Sequence, residues 1–132
     1  MRFLRIKLQI LFSGFILLLP TLPSAAESVE IRVQSSPLAG SQYYAMREIW
    51  AEIKLGDRLM LSREADNRHD RQAIRVDWNG RKIGYVPRAE NRAVAAALDS
   101  GEKLEARVSK LRSPAETADP WLRVEFEVFL IL

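Results

Sequence analysis

The chain contains no cysteine and a single histidine, His69, within its 132 residues. Without thiols it can build no disulfide framework, no cysteine-rich zinc site, no thiol nucleophile and no acylated lipoprotein anchor. One histidine also removes the ordinary pairing of a nucleophile with an oriented base. Ligating side chains crowd at Asp66, His69 and Asp70, but one imidazole and two nearby carboxylates match no established metal spacing. Neither a metal nor another cofactor is expected. No internal repeat or low-complexity segment is present, and no apolar run reaches the roughly 20 residues that span a bilayer comfortably. Packing must stabilise whatever fold forms.

What is present begins with Arg2, Arg5 and Lys7, the apolar stretch Leu8 to Leu19, and then Pro20, Pro23, Ser24, Ala25 and Ala26. This order of charge, apolar run and small residues reads as a secretory signal peptide over residues 1–26, with an uncleaved anchor as the alternative. Cleavage near Ala26 would leave Glu27 leading an exported, periplasmic or extracellular protein. The formal charge of +3 rests on 20 basic and 17 acidic residues, and three of the basic ones precede residue 27, so residues 27–132 balance at 17 of each. The sequence pI near 9.5 is therefore no footprint of nucleic-acid binding. Residues 27–132 are enough for one unstapled domain and too few for two.

Ser28 to Val33 alternates with Val29, Ile31 and Val33 on one side, which predicts a half-buried first strand. Leu38 to Lys54 has the spacing of a short helix or irregular turn. Arg58 to Arg63 is a second strand, and the polar run Glu64 to Arg71 is a loop of the kind that carries function. Ile74, Val76 and Trp78 alternate up to Asn79-Gly80, after which Ile83 and Tyr85 resume the pattern. Asn-Gly between such runs predicts a type I′ hairpin, because both central residues need positive φ. Pro87 ends that strand, and Arg88 to Asp99 predicts one amphipathic helix closed by Ser100 and Gly101. Leu104 to Leu111 is a fifth strand, Arg112 to Asp119 a polar loop, and Trp121 to Leu132 a sixth strand in which Leu122, Val124, Phe126 and Val128 alternate. Glu30, Glu125 and Glu127 read as acids on exposed strand edges. The fold class is all-β or β-rich α+β: a small six-stranded OB-like or SH3-like barrel with one or two short flanking helices.

Four segments carry a more specific signal: PLAGSQYY (Pro37 to Tyr44), LGDRLMLSRE (Leu55 to Glu64), READNRHDRQAIRV (Arg63 to Val76) and KIGYVPRAEN (Lys82 to Asn91). Together, and in this order, they resemble the HIRAN domain, a module often fused to DNA-remodelling helicases and nucleases. The resemblance covers about Val29 to Leu111. It implies an OB-like barrel and a pocket for the free 3′ end of single-stranded DNA. In such a pocket an aromatic of the pair Tyr43–Tyr44 would stack on a terminal base, His69 would support it, Asp70 would bond the 3′ hydroxyl and Arg88 would contact phosphate. Arg68, Arg71 and Lys82 are further candidate phosphate contacts. His69 departs from the tyrosine that DNA-binding members carry there, giving a smaller, titratable stacking surface.

The residues alone support parts of this picture. Aromatic faces stack on bases without sequence preference for about 1 to 3 kcal/mol per base. Tyr43 and Tyr44 point to opposite sides if extended, so one would stack while the other joins the core. A carboxylate repels phosphate and accepts from a hydroxyl, which makes Asp70 sensible only at an unphosphorylated end; as a bland alternative, Asn67 and Asp70 cap backbone amides of the loop. Residues 63 to 92 hold eight basic and five acidic side chains, a surplus that could track a few phosphates or simply face solvent. The leading expectation is thus a non-enzymatic binder of single-stranded DNA ends. The second is an envelope protein whose barrel binds a protein, glycan or cell-wall partner. A small hydrolase acting on acid anhydrides or phosphoesters is a third, with no residue to nominate as catalytic.

Overall fold

The computed structural model describes residues 20–132. The expected signal peptide falls mainly on residues 1–19, outside that range, and residues 20–29 are exposed and without regular structure. No helix of the described residues is long and apolar enough to cross a membrane.

Six strands alternate with short helices: β1 (Glu30–Pro37), α1 (Met46–Ile49), β2 (Arg58–Arg63), β3 (Ile74–Trp78), β4 (Arg81–Tyr85), α2 (Arg92–Asp99), β5 (Leu104–Leu111) and β6 (Val124–Ile131). Single 3-10 turns occupy Ser41–Tyr43, Arg88–Glu90 and Pro120–Leu122. The strands form one antiparallel sheet in the order β1-β6-β5-β2-β3-β4. β2 makes the corner, because Arg58 and Leu59 pair with β5 while Met60 to Arg63 pair with β3. The two outer strands meet just past β1, where Ala39 and Tyr85 exchange two backbone hydrogen bonds of 2.9 Å. This bridge curls the sheet into the expected OB-like, barrel-like shape.

Closure is possible because residue 84 is glycine. A Cβ at Gly84 would lie 2.5 Å from the Ala39 carbonyl oxygen and 2.9 Å from the Leu38 side chain, so only a bare Cα lets the chain after β1 approach β4. At the β3–β4 hairpin, Asn79 and Gly80 adopt φ of 46° and 78°, as a type I′ turn demands. The helix α2 ends in a Schellman arrangement, in which Glu102 N–H donates to Ala97 and Gly101 N–H, at φ 78°, to Leu98.

The core lies inside the curl. Ile74 and Val76 of β3, Ile83 of β4, Val124, Phe126 and Val128 of β6 and Leu38 are fully or almost fully buried, and Ile49 of α1 and Val94 of α2 join the same cluster. Trp78 packs at its margin with its indole N–H donating to Asp57 Oδ2 at 3.0 Å, so the buried polar edge is satisfied.

Four sequence expectations need correction. The first strand begins at Glu30 and runs to Pro37, and Val29, Ile31 and Val33 are exposed rather than half-buried. A bulge at Val33 breaks the alternation, and beyond it Ser36 takes the inward position opposite Phe126. The stretch from Arg88 is not one helix: a 3-10 turn ends at Asn91, whose side chain turns into the protein, and α2 starts at Arg92. The sixth strand starts at Val124, because Pro120 opens a 3-10 turn capped by Asp119, leaving Leu122 exposed. Finally, Glu125 and Glu127 are not edge residues, since β6 lies between β1 and β5; Glu127 pairs with Arg32, Glu125 with Lys110 and Arg112, and Glu30 with Arg107.

Candidate functional site

The loop from Glu64 to Gln72 is shaped by its own side chains. Asn67 Oδ1 accepts from the backbone N–H of His69 at 2.9 Å and of Asp70 at 3.2 Å, while Asp70 Oδ1 accepts from Gln72 N–H at 2.9 Å. The Ala73 amide donates to the Asp70 carbonyl, leading the chain into β3. These are the capping bonds that Asn and Asp offer in turns. Arg63 clamps the loop from below, donating to the carbonyls of Ala73 and Arg71 and pairing with Asp99 of α2 at 3.0 Å. The tight loop pushes His69, Arg68 and Arg71 outward, and all three are exposed.

Asp70 is tied at its other oxygen as well. Oδ2 accepts from Asn91 Nδ2 at 2.6 Å, and Asn91 is only 1% exposed. The break between the 3-10 turn and α2 is what places this amide beside the loop. Asn91 Oδ1 is buried without a partner, and orphaned acceptors of this kind are uncommon in folded interiors.

A chain of hydrogen bonds connects this loop to the tyrosine pair. Asn67 Nδ2 donates to Glu64 Oε1 at 3.1 Å, the Tyr85 hydroxyl donates to the same oxygen at 2.7 Å, and Lys82 Nζ donates to the Tyr85 hydroxyl at 2.5 Å. The Lys82 ammonium lies 4.2 Å from the Tyr44 ring centroid and 4.3 Å from that of Tyr85, and the two rings meet edge to face at 5.8 Å. Burial pushes the Glu64 carboxyl up, but the bonds from Tyr85 and Asn67 and the charges of Lys82 and Arg75 outweigh it, and the pKa falls below its ordinary value. Burial pulls Lys82 down, yet its bonds and charge interactions with Tyr85 and Tyr44 leave it raised. Tyr85 is raised, chiefly by burial and by donating to Glu64. All three groups hold their neutral-pH forms more firmly than they would in water.

The tyrosine pair divides. Tyr44 packs onto Tyr85 and Lys82, whereas Tyr43, at 77% exposure, projects from the 3-10 turn over a cleft of about 690 Å³. Arg88 is exposed on the 3-10 turn after β4, beside the loop that Asn91 holds. Of the residues singled out from sequence, Asp70, Tyr44 and Lys82 belong to one continuous network; Tyr43, His69, Arg68, Arg71 and Arg88 stand around it with free faces. Glu64, Tyr85 and Asn91 were not anticipated. All three lie inside the quoted segments, but nothing in linear spacing indicates that Tyr85 reaches across to Glu64 or that Asn91 turns inward. Among the described residues no three His, Asp or Glu side chains gather into a metal-sized group.

A model of the HIRAN domain matches residues 31–132. The chain belongs to the HIRAN-domain family. Two crystal structures agree at the level of fold. The HIRAN domain of human HLTF superposes with a TM-score of 0.61 at 20% identity, covering 79% of this chain and 78% of that one. A protein from Lactobacillus plantarum superposes with a TM-score of 0.67 at 22% identity, covering 80% of this chain and 98% of that one. No curated protein matches. Membership in the HIRAN family points to a nucleic-acid-binding module. In this HIRAN domain, Gly84-Tyr85-Val86-Pro87 supplies, in order, the close approach that closes the sheet, the phenol of the polar network, a buried core residue and the start of the turn carrying Arg88.

Proposed function

We propose that the protein binds single-stranded DNA at a free 3′ hydroxyl end. The observation that carries this reading is the state of Asp70: a carboxylate fixed at both oxygens by Gln72 N–H and Asn91 Nδ2, in a loop that exposes His69, Arg68 and Arg71 beside the turn carrying Arg88. Each carboxylate oxygen has a second lone pair, so a preoriented acceptor is left for one more donor. A sugar hydroxyl can supply that donor, whereas a terminal phosphate would meet charge repulsion. Tyr43 and His69 offer faces for the last bases, and Arg88, Arg68 and Arg71 offer charge to the phosphates behind them. Lys82 is held by two rings and a phenol, so its contribution is to stiffen the platform more than to grip phosphate.

Fluorescence anisotropy with a short labelled oligonucleotide ending in a 3′ hydroxyl, compared with the same strand ending in a 3′ phosphate, tests the idea. Tighter binding of the hydroxyl strand by tenfold or more is expected. Equal affinity for both would sink end recognition and leave general nucleic-acid binding.

Export is proposed on the N-terminal pattern alone, and would place the domain where DNA ends arise through uptake, scavenging or release. Finding the protein in the cytosolic fraction, uncleaved, would end that reading.

A further inference from the structure

The cleft under Tyr43 has a second wall that the end pocket does not use. It lies between α1 and the 3-10 turn Pro120–Leu122, and the Ser41 hydroxyl ties the 3-10 turn Ser41–Tyr43 to that turn by donating to the Pro120 carbonyl at 3.5 Å. Tyr43, Tyr44 and Trp50 give it flat apolar surface, and Arg47 and Arg123 give it charge, opposed by Glu48 alone. Arg123 is the unusual member. Its Nε is buried with no hydrogen-bond partner, and among the described residues its guanidinium forms no side-chain hydrogen bond or ion pair. Its neighbour Arg112 is spoken for, donating to the Leu122 carbonyl and pairing with Glu125. Burying an arginine donor without an acceptor costs stability. An anion entering the cleft would meet the outer nitrogens of this unpaired guanidinium, which match phosphate oxygens in a planar, two-pronged way.

We propose that this cleft is a second nucleotide subsite, in which Arg123 and Arg47 hold a backbone phosphate and Trp50 flanks its base, with Tyr43, which takes the last bases of the end pocket, at the boundary between the two. Tyr44 is shared: it lines the cleft on one side and meets Tyr85 and Lys82 of the Asp70 network on the other. The direction of the strand rests on the proposed end pocket. With the 3′ hydroxyl at Asp70, the chain crosses the tyrosine pair and its 5′-ward nucleotides enter the cleft.

Competition anisotropy with unlabelled oligothymidylates of two and ten nucleotides, each with 3′ hydroxyl and 3′ phosphate ends, distinguishes the parts. Arg123→Gln is expected to weaken the ten-mer about tenfold, as loss of a charge-assisted bond does. It should also reduce the slope of log affinity against log salt by about 0.7, one single-strand phosphate contact. The two-mer, too short to reach the cleft, should change less than twofold. Arg47→Gln, a change at an exposed position, should act in the same direction, and Arg123→Lys should keep the salt slope while losing part of the affinity. Thermal melting of each variant guards against misfolding. Ten-mer binding unaltered by both glutamine variants overturns the subsite, and equal weakening of two-mer and ten-mer overturns its upstream placement. If the 3′ phosphate strands bind as well as the hydroxyl strands but Arg123→Gln weakens the ten-mer of both, end recognition fails and the cleft stands. If the wild-type protein binds no oligonucleotide, both fall.

Discussion

Asp70 serves the loop and the proposed ligand with the same two oxygens, and this makes it possible to separate the roles by substitution. In Asp70→Asn the retained oxygen can still accept from Gln72 N–H, and the new amide faces Asn91. The buried Asn91 amide can turn over so that its orphaned Oδ1 accepts from the new group, exchanging one unpartnered atom for another. The expected cost is therefore about 1 kcal/mol, the difference between a charge-assisted and a neutral bond, or roughly 4–8 °C in melting temperature for a domain of this size. Preference for a 3′ hydroxyl should vanish. Asp70→Ala, which removes both acceptors, should cost about 2–3 kcal/mol; if the asparagine variant melts as low as the alanine one, Asn91 does not adapt. Glu64 gives a pH prediction. Its pKa is lowered on folding, so the stability it contributes is complete above its unfolded value and is lost as pH falls through the folded one. Glu64→Gln should flatten the acid limb of melting temperature against pH and also soften the alkaline limb, because Glu64 is one of the groups that raise Tyr85.

Among the elements, the contact between the segment after β1 and β4 is the one on which the curl depends. Gly84→Ala would drive a methyl group against the Ala39 carbonyl and Leu38, an overpacking cost of about 3 kcal/mol if the bridge yields. The expected outcome is a domain that keeps its hairpin and β5–β6 ladder but shows fast hydrogen exchange at Ala39 and Tyr85; unchanged protection there would mean that closure tolerates a side chain. Elements specified by local chemistry were legible from sequence: the Asn79-Gly80 hairpin, β2, β5 and the Gly101 stop of α2. What sequence hid was set by distant partners. The exposed Val29, Ile31 and Val33 carry a perfect strand period, but the bulge at Val33 lets only the part of β1 beyond it face the core. The break at Asn91 has no propensity signal; it exists because a buried amide meets Asp70 across 21 positions. Likewise the site was legible as a set of segments, through Asn67 and Asp70, the tyrosine pair and the Gly84-Tyr85 strand, while Arg123 and Asn91 needed the fold to bring them into place.

For the whole molecule the decisive quantity is charge, since residues 27–132 balance at 17 basic and 17 acidic groups. Many of the basic ones are spent on the outer face of the sheet, where Arg107 bridges Glu30 and Glu105, Arg32 meets Glu127 and Lys110 meets Glu125. Such exposed pairs add little stability, and the balanced net charge supplies no overall positive field to gather DNA at long range. The cations placed to meet phosphate are Arg88, Arg68 and Arg71 at the proposed end pocket and Arg47 and Arg123 at the cleft. Each single-strand phosphate contact contributes about 0.7 to the slope of log affinity against log salt. Three to five contacts therefore give a slope of about 2 to 3.5, and affinity should fall roughly 10- to 100-fold between 50 and 200 mM salt. Melting temperature over the same range should hardly move, because the ion pairs are surface pairs and the core is apolar. A slope near zero with binding retained would remove the arginines from the interface and leave stacking alone. A slope beyond about 5 would mean that more cations reach phosphate than the loop, the adjacent turn and the cleft can supply.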